Sequence, residues 1–218
     1  MKLPDFEAHF NEYREYLHEE VRRFQCFVTV LRQIEDRTRD SLDVINLSPA
    51  FFQITQSALF SGVILWGHKL LDVNGERGFH NFLAFIEQNR KWLSTQQLQI
   101  RRAYPDNHWM LRSRTSPTLS TVRADKTELS SLQVLPSLKT RRDKFYGHFD
   151  KGYFFDRTRL DKEAPLDWLA VDAALHTMEQ VFNRYSAQFD GKTFSIKPVN
   201  IGDLDSLLAR AKRSRLRK

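Results

Sequence analysis

A long run of helical periodicity at the amino-terminal end constrains what this chain can fold into. Apolar residues recur at steps of three and four positions between Phe6 and Ile34, with charged residues in the gaps, which is the spacing of one helical face. Pro4 and Asp5 signal the start of a helix, so the pattern predicts a helix over about residues 5–41. An amphipathic helix of this length has to pack against partners along its apolar face.

A second segment is apolar on nearly every side and is predicted to be the central helix of a bundle. Ser48 is its expected N-cap and Pro49 lies in its first turn, and the helix is expected to run to about residue 73. Gly62 and Gly67 lower the helix propensity inside it, which indicates close contacts with neighbouring helices. The expected fold is an all-α antiparallel helical bundle.

The remaining helices are predicted from the same periodicity and from local start signals. Core helices are expected over about residues 78–93 and 166–189. Asp125 and Glu128 have the spacing of a capping box, which predicts that a helix begins there. Pro136 is expected to kink that helix or to restart it.

The net charge of +7 is concentrated in two segments. Residues 101–126 and residues 202–218 each carry four more basic than acidic side chains, which leaves the rest of the chain at −1. We expect a helical domain over residues 1–199, in which residues 101–126 form a basic loop or insertion, followed by a basic C-terminal tail helix over residues 200–218. Two basic appendages on a neutral body indicate a polyanionic partner such as RNA, or else a solubilising loop and a solvated tail.

Other classes of protein are not favoured by the composition. Cys26 is the single cysteine, so an internal disulfide and a Cys-based zinc site are excluded. The amino-terminal residues lack the apolar segment of a secretion signal, and the apolar stretch over residues 58–71 is shorter than the roughly 20 residues of a membrane span. His68, His80 and His176 lie on apolar helix faces and are expected to be core histidines. We therefore expect a cytoplasmic protein without membrane contact, metal or cofactor.

The segment RRDKFYGHFD, residues 141–150, is the part of the chain most typical of catalysis. Arg141 and His148 are seven residues apart and share one helical face, while Arg142 lies on the adjoining face. If the helix loosens near Gly147, Arg142 also approaches the imidazole. An imidazole moves a proton near neutral pH, and a guanidinium binds phosphate and stabilises the charge of a phosphorane.

This segment resembles the Arg-polar-x4-His signature of HEPN domains, with Asp143 at the polar position. The resemblance is greatest to the AbiU2-like branch, which is associated with abortive infection and toxin-type defence. The segment from Trp66 to Asp72 in the predicted central helix adds to it. Beyond these residues, the resemblance covers only the order of the helices.

The resemblance implies a metal-independent endoribonuclease that acts as a homodimer, with the Arg and His of both copies facing one cleft. His148 would act as general acid or base for attack by a ribose 2′-hydroxyl, Arg142 would hold the scissile phosphate, and Asp143 would orient one of them. Arg141 is the alternative to Arg142. The product would carry a 2′,3′-cyclic phosphate. An antitoxin partner is also implied, although Asp150 stands where some members carry a tyrosine that a nucleotidyltransferase antitoxin modifies.

Two hypotheses therefore stand side by side. In the first, the protein is an endoribonuclease of a defence or toxin–antitoxin system. In the second, the same fold is a non-catalytic RNA-binding or protein-binding scaffold, the Arg-Arg-Asp-Lys run is an ordinary ion-pair face, and His148 lies at the edge of the core. The side chains expected to bind RNA are Arg101, Arg102, Arg112, Arg114, Arg123, Lys144, Arg213 and Arg215.

Overall fold

Helices make up all the regular structure in the part of the chain that the structure describes, which confirms the all-α prediction. The computed structural model describes residues 1–112, 114–199 and 201–215, the Arg215 side chain excepted. A 3-10 turn, Arg90–Leu93, follows α4, and a π-helix, Arg142–Tyr146, follows α8. In chain order the α-helices are α1 (Leu3–Asp40), α2 (Leu42–Ile45), α3 (Pro49–Leu71), α4 (Phe79–Asn89), α5 (Thr95–Arg102), α6 (Trp109–Arg112), α7 (Leu119–Ser130), α8 (Leu135–Arg141), α9 (Lys151–Phe155), α10 (Arg157–Glu163), α11 (Trp168–Asp190) and α12 (Asp203–Arg215).

The long amino-terminal helix is confirmed, and α1 buries its apolar face over most of its length. Two ion pairs fix its direction relative to α11. Arg14 pairs with Asp190 at 2.7 Å, and Arg32 pairs with Asp172 at 2.8 Å. Residue numbers rise along one helix as they fall along the other, so α1 and α11 are antiparallel.

Helix α3 also runs antiparallel to α1 and approaches it closely. A Cβ atom at Gly62 would lie 2.7 Å from the Phe27 ring, and one at Gly67 would lie 3.0 Å from the Phe24 ring. Both distances are shorter than ordinary van der Waals contact, so a side chain at either position would push the helices apart. The prediction that the two glycines allow close helix packing is confirmed.

The prediction that this segment is the central helix of the bundle holds for the carboxyl-terminal half of α3 but not for its first half. Phe51 is 60% exposed and Ile54 is 69% exposed. Helix α8 and the π-helix contact α3 from Phe60 onward, through Phe60, Gly67 and His68. In the first half of α3, Phe52 is covered by α1, α2 and α12. The expectation that the apolar stretch is too short for a membrane span is also wrong, because α3 is long and apolar enough by length and composition. The core helix of a soluble protein passes the same test.

Aromatic rings hold α1, α4 and α11 together. Phe10 stacks on Phe189 with ring centroids 4.3 Å apart, and Phe82 meets Tyr185 edge to face at 5.9 Å. All four side chains are buried, and such ring pairs contribute about 0.5–1.5 kcal/mol each beyond the burial of area. Helix α3 packs against the same core. Helix α8, which leads into the candidate site, packs in turn against α3.

The segment predicted as a basic loop over residues 101–126 is mostly helical, and this expectation is corrected. Helix α5 continues to Arg102, α6 is a single turn at Trp109–Arg112, and α7 begins at Leu119. Thr118 caps α7, since its hydroxyl accepts a hydrogen bond from the Thr121 N–H at 3.1 Å. The density of serine, threonine and arginine suggested a loop, whereas Thr118 uses its hydroxyl to start a helix.

The capping box predicted at Asp125 is also wrong. Asp125 lies in the middle of α7 and is 2% exposed. Its carboxylate accepts a hydrogen bond from the Tyr185 hydroxyl at 2.5 Å and pairs with Arg184. The Asp-x-x-Glu spacing was misleading because a carboxylate that can cap a helix can equally accept bonds from a neighbouring helix. Pro136 lies in the first turn of α8, so the predicted restart is confirmed.

The basic C-terminal helix forms as predicted, up to Arg215, and it is packed on the bundle. Leu208 is 5% exposed and joins a small apolar cluster with Ile34, Val44, Ile45 and Phe52. Arg37 of α1 pairs with Asp205 at 2.6 Å. The acidic first turn and the apolar face of α12 therefore anchor the helix, and the basic residues follow toward its end.

Candidate active site around Arg142 and His148

The candidate site begins where α8 changes into the π-helix. The Gly147 N–H donates a 2.7 Å hydrogen bond to the Arg142 carbonyl, five residues earlier. Such wider turns are rare in proteins, and those that do occur are often found at functional sites. A Cβ atom at Gly147 would lie 2.9 Å from that carbonyl oxygen, so the absence of a side chain allows the turn to close. The motif residues therefore do not follow the regular helical spacing on which the sequence argument was based.

Arg141 points into the protein and is 4% exposed. Its Nε donates to the Ala164 carbonyl at 2.6 Å, and its Nη2 donates to Asp161 at 2.8 Å. Its guanidinium also lies over the Phe60 ring at 5.4 Å. These contacts join α3, α8 and α10, and they leave Arg141 out of reach of an incoming phosphate.

Arg142 lies at the surface of α3 between two carboxylates. Its Nε donates to Asp143 at 2.6 Å, and its Nη1 lies 3.6 Å from Asp72. Nη1 is also 3.2 Å from Nδ1 of His68. The side chain keeps 33% of its surface exposed, so the guanidinium is held in place while part of it faces solvent. Its Nη2 also pairs with Asp143, so a phosphate would bind through those of the five guanidinium N–H donors that these partners do not use.

His68 is a member of this cluster that the sequence argument did not assign to the site. It is 4% exposed, as expected of a core histidine. Burial lowers its pKa, and the charge of Arg142 lowers it further. A neutral imidazole can accept the hydrogen bond that Arg142 donates. The available sequence signal was Asp72, which lies one turn after His68 on the same helix face.

His148 is exposed. Among the described residues, none forms a hydrogen bond, an ion pair or a ring contact with it. Arg142 and His148 are therefore not in direct contact, although the Arg142 side chain lies beside Gly147. An imidazole in this position is free to approach a bound molecule.

The turn that carries His148 is held by polar contacts on both sides. The Asp150 N–H donates to the Lys144 carbonyl at 3.1 Å, and Lys144 pairs with the Asp150 carboxylate at 3.2 Å. The hydrogen bond from the Gly152 N–H, followed by the bond from Lys144, lowers the pKa of Asp150. Asp150 therefore serves as an ionised N-cap of α9, and Lys144 is largely committed to it.

The other residues predicted to bind RNA are spread over several elements. Arg101 is half-buried and donates to Glu7, to Phe189 and to Trp92, so it acts as a structural residue in this state. Arg123 pairs with Glu87. The remaining predicted side chains that the structure describes, and that form no salt bridge with a described residue, are Arg102, Arg112, Arg114 and Arg213.

The remaining histidines do not form a metal site. No group of three or more metal-ligating side chains occurs within the described ranges. His80 is 9% exposed and its Nε2 has no partner among the described atoms. His176 is exposed and contacts Gln180 at 2.7 Å, so the prediction that it belongs to the core is wrong.

A separate cleft of about 370 Å³ lies beside α1 and does not contain the motif. Its charged lining residues are Glu12, Glu20, Glu76 and Arg77, so acidic side chains outnumber basic ones. This acidic surface is unsuited to a polyanion, because like charges repel.

The fold and the site together define an all-α domain of the HEPN type, in which a late helix carrying Arg-Asp-x4-His packs on the central helix. A family model described as AbiU2, in the HEPN group, matches residues 7–208. Because this match covers most of the chain, the protein belongs to the AbiU2 family of HEPN domains, which suggests an abortive-infection or toxin-type domain. No curated protein and no solved structure matches the chain significantly.

Proposed function

We propose that the protein is a metal-independent endoribonuclease of a cytoplasmic defence or toxin–antitoxin system. The observation that carries the proposal is the contrast between the two motif residues. Arg142 is one-third exposed and oriented by surrounding groups, whereas His148 is exposed and has no partner in the described chain. A fixed cation and a free imidazole are two of the groups that phosphodiester cleavage by a ribose hydroxyl uses.

The proposed reaction is an in-line transesterification. His148 takes the proton from a ribose 2′-hydroxyl, and the 2′-oxygen attacks the adjacent phosphorus. Arg142 neutralises the charge that develops on the phosphorane oxygens. The bond to the 5′-oxygen breaks, and that oxygen takes a proton from a general acid. The products are a 2′,3′-cyclic phosphate and a 5′-hydroxyl.

A homodimer accounts for both proton transfers. One His148 imidazole cannot be the base and the acid at the same instant, and one chain supplies a single exposed histidine at the motif. A second copy facing the same phosphate would supply the other imidazole. RNA is therefore the proposed substrate and a second copy of the chain the proposed partner. An antitoxin protein would act by covering this shared cleft.

A non-catalytic scaffold is the second candidate, and one observation favours it. Asp72 and Asp143 lie close enough to Arg142 to neutralise its charge, and no contact joins Arg142 to His148. In this alternative the cluster stabilises the junction of α3 and α8, and the protein binds a partner without reacting with it.

The deciding experiment is RNA cleavage in the presence of EDTA. Labelled RNA is incubated with the parent protein, with His148→Ala and with Arg142→Ala. We expect loss of cleavage by about 100-fold or more in each variant, because each removes a group that acts in the transition state. His176→Ala and Arg22→Ala are matched controls, since both side chains are exposed and lie on other helices.

The two variants also test the proposed homodimer. If the cleft is shared, adding an excess of either inactive variant to the parent lowers its activity by more than dilution does, because every mixed dimer lacks one member of the paired groups. Cleavage that persists in both variants would overturn the assignment of these residues. Binding without cleavage by the parent, across several RNAs, would favour the scaffold.

A further inference from the structure

Three phenylalanine side chains are exposed just after His148 in the chain. Phe149 is 67% exposed, Phe154 is 45% exposed and Phe155 is 79% exposed. A single exposed apolar residue is common, but an adjoining group of aromatic rings at the surface marks a binding site. The rings also lie in the segment directly next to the free imidazole.

The three exposed rings and the half-buried ring of Phe145 form one connected series, which we call the aromatic ladder: Phe145, Phe149, Phe154 and Phe155. Successive ring centroids are separated by 5.4, 5.2 and 5.2 Å, with interplanar angles of 65°, 66° and 89°. In each edge-to-face contact the edge of one ring meets the face of its neighbour, so a contact covers only one face. Phe155 ends the series and is 79% exposed, so a flat face of this outer ring stays open to a planar ligand.

The ladder is held in place by the helices that follow the motif. Asp150 caps α9 by accepting from the Gly152 N–H at 3.0 Å. Tyr153, which is 7% exposed, anchors the same helix through a hydrogen bond from its hydroxyl to Glu163 of α10. Phe154 and Phe155 follow Tyr153 directly, so their exposure results from an anchored turn of helix.

The charge beside the ladder is positive. Residues 141–163 carry seven basic and five acidic side chains. Among the acidic groups near the rings, Asp150, Asp161 and Glu163 are each paired with a basic side chain, and Asp156 caps α10. Lys151 and Arg157 are exposed and form no salt bridge with any described residue. The Arg157 guanidinium lies 4.7 Å from the centre of the Phe145 ring. Free cations interleaved with aromatic rings are the combination that binds single-stranded nucleic acid.

We propose that the aromatic ladder stacks the unpaired bases of single-stranded RNA beside His148. This inference rests on the proposed ribonuclease function and specifies its substrate class. In a duplex both faces of nearly every base are covered by its neighbours, so a stacking surface selects unpaired regions. Lys151 and Arg157 contact the phosphates, and the ladder places one phosphodiester at the imidazole.

The test separates binding from cleavage. The full-length protein is titrated with a 2′-O-methyl oligonucleotide, which lacks the attacking hydroxyl, with the same sequence as a duplex, and with an abasic strand of equal length. The ladder variants are the single variant Phe155→Ala and the double variant that combines Phe154→Ala with Phe155→Ala. A third variant, Phe155→Trp, keeps a stacking surface. Tyr16→Ala is the matched control, because Tyr16 is 60% exposed on α1.

We expect the single strand to bind more tightly than the duplex, and each lost ring to weaken single-strand binding by about 10-fold. The ladder variants bind the abasic strand as tightly as the parent does, because no base is present to stack. Phe155→Trp binds the single strand with the parent affinity. The proposal is overturned if the ladder variants weaken the abasic strand as much as the single strand. It is equally overturned if Tyr16→Ala has the same effect.

Two further measurements distinguish this proposal from membrane binding and from the proposed ribonuclease function. Binding of the ladder to vesicles that contain anionic lipid, without binding to the oligonucleotide, would replace RNA by a membrane surface and overturn the proposal. Loss of cleavage in His148→Ala with retained binding tests the ribonuclease function by itself. Phe155→Ala alone carries the test if the double variant does not fold.

Discussion

The His68 imidazole is a buried, neutral base that lies next to the Arg142 guanidinium. Burial and the neighbouring Arg142 both lower its pKa, and its Nδ1 lies 3.2 Å from the guanidinium. Protonation would remove the acceptor and place two positive charges together. Sequence reasoning identified His68 as a core residue but could not assign it to the site, because its partner lies 74 residues away.

This arrangement makes stability depend on pH. The pKa of His68 is lower in the folded protein than its unfolded value of about 6.5, so the unfolded chain takes up the proton first as the pH falls. The free energy of unfolding therefore decreases below about pH 6.5 and is fully retained above it. Urea denaturation at about pH 7.5 and pH 5.5 measures the change.

A variant assigns this effect to His68. In His68→Asn the amide oxygen replaces the Nδ1 acceptor and cannot be protonated, so the loss of stability at low pH becomes smaller. Part of the loss remains, because burial and Lys126 also lower the pKa of His80. His176→Asn is the control, since His176 is exposed. An unchanged pH dependence in His68→Asn would contradict the argument.

The buried carboxylate of Asp125 joins α7 to α11 through Tyr185 and Arg184. It accepts from Tyr185 at 2.5 Å, and burial together with this bond raises the pKa of Tyr185. Tyr185→Phe should lower the free energy of unfolding by about 1–3 kcal/mol. Asp125→Ala leaves the buried Tyr185 hydroxyl without its acceptor, while Arg184, 43% exposed, can be solvated instead, so it should cost about 2–3 kcal/mol. Urea denaturation measures both.

The neighbouring Glu128 is a control for these variants. It is exposed on the same helix, so Glu128→Ala should change stability by no more than about 0.5 kcal/mol. If Asp125→Ala had an effect as small as that of Glu128→Ala, the hydrogen bonds of Asp125 would not contribute to the core.

At the scale of helices, periodicity alone predicted the long elements because one buried face determines them. Helix α1 buries one face against α3 and α11, and its pattern was clear in the sequence. For α3 the pattern was misleading over its first half, since apolar residues such as Phe51 and Ile54 are exposed. Composition predicts how readily a residue is buried, but the neighbouring helices decide whether it is covered.

The π-helix explains why the choice between Arg141 and Arg142 stayed open. Seven-residue spacing favoured Arg141 as the partner of His148, yet Arg141 is buried against Asp161. The wider turn depends on the hydrogen bond between Gly147 and the Arg142 carbonyl. Gly147 in the sequence indicated that the helix could loosen here, but no local residue pattern predicts this bond or the direction in which Arg141 and Arg142 then point.

Gly147 should therefore be essential for the geometry of the site. In Gly147→Ala the added methyl group would lie 2.9 Å from the Arg142 carbonyl oxygen, and a backbone atom cannot move away easily. We expect the π-turn to open and cleavage of RNA to fall by about 10-fold or more, because misplacing a catalytic group by roughly 1 Å has a large effect on rate.

The control is Gly152→Ala, five residues further along. A Cβ atom there would meet only side-chain atoms at 3.4 Å or more, so cleavage should stay near the parent rate. The far-ultraviolet circular dichroism of both variants checks that the bundle remains folded. Equal activity of Gly147→Ala and the parent would show that the π-turn does not position the motif.

At the scale of the whole molecule, some basic side chains are paired within the bundle, and others remain able to bind a partner. The chain carries a net charge of +7, but Arg101 and Arg123 are paired within the bundle. Helix α12 is anchored by Asp205, while Lys212 and Arg213 toward its end form no salt bridge with a described residue. The basic end of α12 is therefore available to a polyanion.

RNA binding by this protein should weaken steeply with salt, because each phosphate contact releases about 0.7 counterion from a single strand. If the basic end of α12 contacts RNA, changing Lys212 and Arg213 together to glutamine reduces the slope of log affinity against log salt by up to about 1.4. Fluorescence anisotropy with the 2′-O-methyl oligonucleotide over a range of NaCl concentrations measures this slope. Arg22→Gln, on the exposed side of α1, should leave it unchanged. An equal slope for the parent and the double variant would limit the RNA surface to the motif and the aromatic ladder, because charges that contact no phosphate release no ions.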